Sequence, residues 1–143
     1  MIVTKIFVFE KTPASPCILL QVTELVESYI IWVGISDTPV TSSEPQDILE
    51  QRISQGCLAT DWGCGVPPLK DGTFSISTPL FRSSSNDNSL SMSLRLARRF
   101  KKQIFLSIDA TFSLGNPVNH SHILLQIERN LISALKSLET HAI

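Results

Sequence analysis

One segment constrains this chain more than any other. From Leu90 to Ile108 a helical pattern of apolar residues runs without interruption into a strand pattern. At about 100° per residue, Leu90, Met92, Leu94, Leu96, Ala97 and Phe100 share one broad arc. Arg95, Arg98, Arg99 and Lys102 stand on the opposite side at i, i+3, i+4 and i+7. No acidic residue lies between Asp87 and Asp109. The basic face therefore has no partner within its own helix, where i,i+4 acid–base pairs would normally form. The pattern predicts a helix at about 89–102 that lays its apolar arc on a sheet, with Gln103–Ile108 returning as a strand of that sheet.

The rest of the chain supplies that sheet. Ile2–Phe9 is rich in β-branched and aromatic residues and reads as a strand, broken by the two prolines of Thr12–Pro16. Cys17–Val26 reads as a second strand and Tyr29–Ile35 as a third. The run YIIWVGI does not alternate, so both of its faces should be covered. Glu44–Ile53 is read as one or two helical turns. Gly56–Thr60 and Thr73–Leu80 read as two further strands, separated by a turn-rich stretch holding Gly63, Cys64, Gly65, Pro67, Pro68 and Gly72. Asp87 or Asn88 is positioned to cap the basic helix. Asn116 and Pro117 suit the N-cap and first position of a last helix at about 118–140. Its stripe of Ile123, Leu124, Ile127, Leu131, Ala134, Leu135 and Leu138 is widened by Leu125 and Ile132, which implies more than one neighbour. The order of elements predicts one α+β domain over 1–143, with a small antiparallel sheet of about six strands and two main flanking helices.

Composition narrows the function. With 143 residues, 17% charged residues and a net charge of −1, nothing pushes the chain as a whole toward nucleic acid or membrane. A mean hydropathy of +0.16 fits either a well-filled core or a surface covered by another chain. Three cysteines at irregular spacing are no disulfide framework and suit a reducing cytosol or nucleus. The start, MIVTKIFVFEK, is too short in its apolar run for a signal peptide.

Catalytic and metal sites are recognisable by the chemistry they require. A nucleophilic Ser or Cys needs a base within reach, but His120, His122 and His141 all lie at the ends of the last helix. The spacing of Cys57 and Cys64 is wider than that of a zinc knuckle. Their simpler roles are a core residue on a strand for Cys57 and a loop residue for Cys64. No glycine-rich phosphate loop is present. No catalytic, cofactor-binding or metal-binding residue is assigned. Trp32 reads as core. Trp62, in DWGCG, reads as a partly exposed turn residue and a candidate partner anchor. The basic stripe has two readings: a solvated face that complements the helix dipole, or a contact for a protein partner. A thiol or metal enzyme at Cys57/Cys64 and a nucleic-acid module on the basic helix are the alternatives from other classes.

Two blocks carry a resemblance to a known family. Tyr29–Gly34 (YIIWVG) resembles a strand of the proteasome assembly chaperone 4 family. Ser93–Arg99 followed by Lys101–Ser107 resembles that family's block of basic helix, glutamine and strand. Leu124–Leu131 is similar to a segment of its last helix. Between Asp37 and Asn88 the chain departs from the pattern, with extra length that implies a flexible insert around 37–55. The resemblance implies a non-catalytic protein without cofactors, working in the cytoplasm and also the nucleus. It implies pairing with a related small chaperone, assembly chaperone 3, and help in ordering α subunits into the ring of the proteasome core particle, chiefly through the fifth α subunit. Arg95, Arg98, Arg99 and Lys102 are the residues assigned to partner contact.

Overall fold

The elements run β1 (Val3–Phe9), β2 (Cys17–Leu25), β3 (Ser28–Ser36), α1 (Pro45–Gln55), β4 (Asp61–Val66), β5 (Ile76–Arg82), α2 (Asn88–Phe100), β6 (Gln103–Asp109) and α3 (Pro117–His141). They come from a computed structural model that describes residues 2–13, 16–36, 44–55, 60–82, 87–109 and 117–141. The strands form one six-stranded sheet in the order β1-β2-β3-β6-β4-β5. The α+β class, the strand count and both main helices are as the sequence indicates.

One pairing differs from the antiparallel sheet expected. β3 and β6 run parallel, with Tyr29 opposite Ile104 and Trp32 opposite Ser107. The other four ladders are antiparallel. Parallel neighbours need a long crossover, and here everything from α1 to α2 lies between them. The sequence pattern of each strand is silent about this, because it depends on where β6 inserts.

The predicted fourth and fifth strands shift along the chain. β4 begins at Asp61, inside the stretch read as turns, and β5 begins at Ile76. Residues 56–59, Cys57 among them, lie outside the described residues, as do 37–43 of the predicted insert. Residues 45–55 of that insert form α1, which packs against β1. Gly63 and Gly65 are present in β4 because α2 lies directly on it. A Cβ at Gly63 would come within 2.9 Å of the Leu90 Cα, and one at Gly65 would collide with the Ser93 carbonyl. The helix answers with a ridge of small residues four apart: Ser89, Ser93 and Ala97, all fully buried. Leu90 and Leu94, expected to anchor the helix, are only half-buried.

The ends of α2 are set from outside the helix. Neither Asp87 nor Asn88 caps it with its side chain. The Ser89 N–H and hydroxyl instead donate to Asp61 Oδ2 and Oδ1 at 3.1 and 2.5 Å, so a carboxylate on β4 satisfies the first turn. At the other end Lys101 takes a left-handed conformation, φ 57°, and its N–H closes on the Ala97 carbonyl at 3.0 Å. That reversal feeds Gln103 into β6, where its N–H meets the Glu27 carbonyl in the β2–β3 turn at 3.1 Å.

Both long helices lie on one face of the sheet. Ile18, Leu20, Val22, Tyr29, Ile31, Val33 and Ile35 pack there with Ile104, Leu106 and Ile108 under Met92, Leu96 and Phe100 of α2 and Ile127, Leu131 and Leu135 of α3. Leu125, placed at the edge of the α3 stripe, is half-exposed. The capping residue proposed for α3, Asn116, lies outside the described residues. On the opposite face the cover is thin: Cys17, Leu19 and Trp32 with Ile6 and Val8 beside them. The expectation that β3 is covered on both sides therefore holds on the helix side, while Ile30 on the other side is 41% exposed.

The outer edge at β5 is irregular. Trp62 pairs with Phe81 and Gly63 with Pro79, so Leu80 is an extra residue in the ladder. A proline and a bulge together spoil an edge for further strand pairing.

Candidate protein interface

The four cations of the sequence stripe meet different fates. Arg95 reaches across to α3 and grips Glu128 with two hydrogen bonds, Nε to Oε1 at 2.8 Å and Nη2 to Oε2 at 2.9 Å. That hydrogen bond, above all, raises its pKa further above its ordinary value. Arg98 Nε donates to the Ser75 hydroxyl on the segment before β5. Lys102 donates to the Tyr29 hydroxyl at 2.9 Å, lies 4.5 Å from the centre of that ring and 3.8 Å from Glu24. Burial works against its charge, but Tyr29, Glu24 and Glu139 more than offset this, and its pKa lies above the ordinary value. Arg99 is exposed and makes no ion pair or hydrogen bond among the described residues. The stripe thus lacks partners within its helix but finds three in the tertiary structure.

Beside Arg98 the connection from β4 to β5 is apolar and outward. Leu69 and Phe74 are each 91% exposed, and Ile76 is 64% exposed. Large side chains left in water this far are candidates for cover by a partner.

The open sheet face is the larger feature. A row of side chains crosses it from Gln21 to Trp32 to Ser107 to Trp62 to Phe81, each directly opposite the next. Its centre is a depression of about 180 Å³ lined by Gln21, Thr23, Ile30, Trp32, Trp62 and Ser107. Trp32 lies flat over Gly34, whose missing Cβ leaves room for the ring, and is only 7% exposed. Trp62, expected on a turn, is a strand residue here. Both indole nitrogens are buried without a hydrogen-bond partner among the described residues, a state that costs about 1–3 kcal/mol for each donor. Alternation along β4 reveals this face only once β4 is recognised as a strand, and the glycines concealed it.

Among the described residues the cysteines and histidines do not converge. Cys64, expected in a loop, is buried on β4, where the Gln103 amide approaches its sulfur at 3.3 Å. His120 bonds Asn88 at 3.1 Å. Among the described residues no three His, Cys, Asp or Glu side chains gather as a metal site would require. Burial, and then the charge of Glu10, pushes the Cys17 thiol above its ordinary 9.0. The folded chain therefore keeps a proton that the unfolded chain loses first. This stabilisation is complete at neutral pH and is lost as the pH rises past about 9. Native Cys17 is expected to resist iodoacetamide at pH 8 and to react readily once urea unfolds the chain; peptide mapping of the alkylated protein checks this.

Comparison with known proteins bears on this geometry. Residues 17–109, from the start of β2 to the end of β6, match the family model described as proteasome assembly chaperone 4. The chain belongs to the proteasome assembly chaperone 4 family. The family match contains the Trp32–Ser107–Trp62 row and the whole of α2, while β1 and α3 lie beyond it. A chain from the crystal structure of a novel chaperone complex for yeast 20S proteasome assembly has a similar fold. Its TM-score is 0.63 at 14% identity, covering 95% of this chain and 96% of that one. No curated protein matches the sequence.

Proposed function

We propose that this chain is a non-catalytic assembly chaperone of the proteasome core particle that works as one half of a heterodimer. Its partner is a related small chaperone of the assembly chaperone 3 kind. The pair holds an α subunit, chiefly the fifth, while the α-ring is built in the cytoplasm and nucleus. Membership of the family supports the role. The observation that carries the mode of pairing is the sheet face opposite the two long helices, centred on Trp32, Ile30 and Trp62. A second sheet of similar shape is the natural cover for such a face.

Ile30→Arg tests this. Ile30 is exposed on the open face, so the change puts a charge in the interface while leaving the helix-side core intact. Titration of the purified chaperone 3-like protein by calorimetry should show at least a hundredfold loss of affinity, with thermal unfolding nearly unchanged. Undiminished affinity would exclude this face as the site of pairing.

The α-subunit contact is proposed for the outer side of α2 and the neighbouring apolar connection. Arg95 and Lys102 are engaged within the fold, which leaves Arg99, with Arg98 beside Phe74, to meet an acidic, partly apolar surface. Charges at the rim of an interface act mainly on association rate. Arg98→Glu combined with Arg99→Glu should slow association of the chaperone pair with the isolated fifth α subunit by about tenfold or more at physiological salt. Pairing of the two chaperones should persist. An unchanged association rate measured by surface plasmon resonance would mark the stripe as a solvated face.

A further inference from the structure

Two hydrogen-bond donors on the open face have no acceptor among the described residues. Trp32 Nε1 and Trp62 Nε1 are both shut away from solvent without an acceptor, although a buried indole N–H ordinarily has one. They flank one residue: Trp32 stands opposite Ser107 across β3 and β6, and Trp62 stands opposite Ser107 across β6 and β4. Both rings line the same depression, and none of its lining residues carries a charge. On the reading of this face as the site of pairing, we infer that the partner chaperone inserts a neutral oxygen acceptor into the depression and that the two indoles turn to donate to it. The acceptor is a main-chain carbonyl or the amide oxygen of an Asn or Gln side chain. A carboxylate is disfavoured, because its charge would be desolvated with no cation in the lining to pair it.

The arrangement gives the docked pair a register. Apolar sheets slide past one another with little penalty, but a donor without its acceptor is penalised at every wrong offset. The two donors sit on strands two positions apart in the sheet, so a single inserted group fixes both the offset and the rotation of the partner. Docking supplies the acceptor that the two donors lack among the described residues.

Trp32→Phe and Trp62→Phe remove the N–H while keeping an aromatic ring. Each is expected to weaken binding of the purified chaperone 3-like protein by about tenfold, the equivalent of one hydrogen bond worth 1.4 kcal/mol. In the ¹⁵N-labelled wild-type chain, both indole proton resonances should move downfield on saturation with that partner. The inference is overturned if both variants bind as tightly as wild type, or if the two indole resonances of the wild-type chain stay in place at saturation. The control is Ile30→Arg. If it abolishes pairing while the Phe variants bind normally, the donor inference fails and the dimer face stands. If it leaves pairing intact, both fall. The resonance measurement needs no variant, so a poorly folding Phe variant leaves the test decisive.

Discussion

Gly65→Ala should lower the thermal unfolding midpoint by about 10 °C, corresponding to about 3 kcal/mol for a domain of this size. The added methyl group has no space: it meets the backbone of Ser93 and Leu94 on α2, which cannot rotate aside as the end of a side chain would. Either α2 lifts from β4 or β4 bends away from it. Lifting α2 also pulls Ser89 from the Asp61 carboxylate, so the hydrogen bonds that complete the helix start weaken at the same time. Gly72→Ala is the matching control. That glycine has a φ of 87° and nothing within 4 Å of a Cβ, so only backbone strain of about 1 kcal/mol is at stake. Differential scanning calorimetry of the two variants separates contact from conformation. Equal shifts would mean that the approach of α2 to β4 is looser than described.

Leu131→Ala should be comparably damaging for the opposite reason, with a loss of about 3–5 kcal/mol measured by urea unfolding. α3 lies on the sheet through large side chains. Leu131 is fully buried in the same cluster as Ile127 and Leu135, and truncation leaves a cavity that the sheet cannot close. Leu131→Met, which conserves volume, should cost less than about 1.5 kcal/mol. A small loss for the alanine variant would mean that α3 is seated mainly by its other contacts. The two helices therefore fail in contrasting ways. α2 tolerates no added volume beneath it, and α3 tolerates no removed volume.

The elements that alternate or repeat strongly were legible in the sequence. The apolar arcs of α2 and α3 each point to one structure because a single period explains them, and the unbroken apolar run of β3 marks a buried strand. β4 was not legible, since a glycine pair among prolines reads as a turn. Its glycines report the closeness of a helix that nothing local announces: Ser89 and Ser93 lie about thirty residues further on. The same nonlocality concealed the cap on α2, where Asp61 replaces the nearer Asp87 and Asn88, and the Glu128 partner of Arg95. The parallel pairing of β3 and β6 was hidden too, because it is a property of insertion order. Of the site, the cations were visible as residues but not as bonded ones. The open face became recognisable only when Trp62 was placed on a strand beside Ser107.

The proline and bulge at the β5 edge bear on how many chains can join. A sheet that grows edge to edge presents a fresh edge after every addition, so such growth has no natural end. Pro79 and the extra Leu80 discourage that mode at this rim. Association across the flat of the sheet behaves differently, because the docked surface is used up by the first arrival. On the proposed reading of the open face, pairing through it ends at two chains.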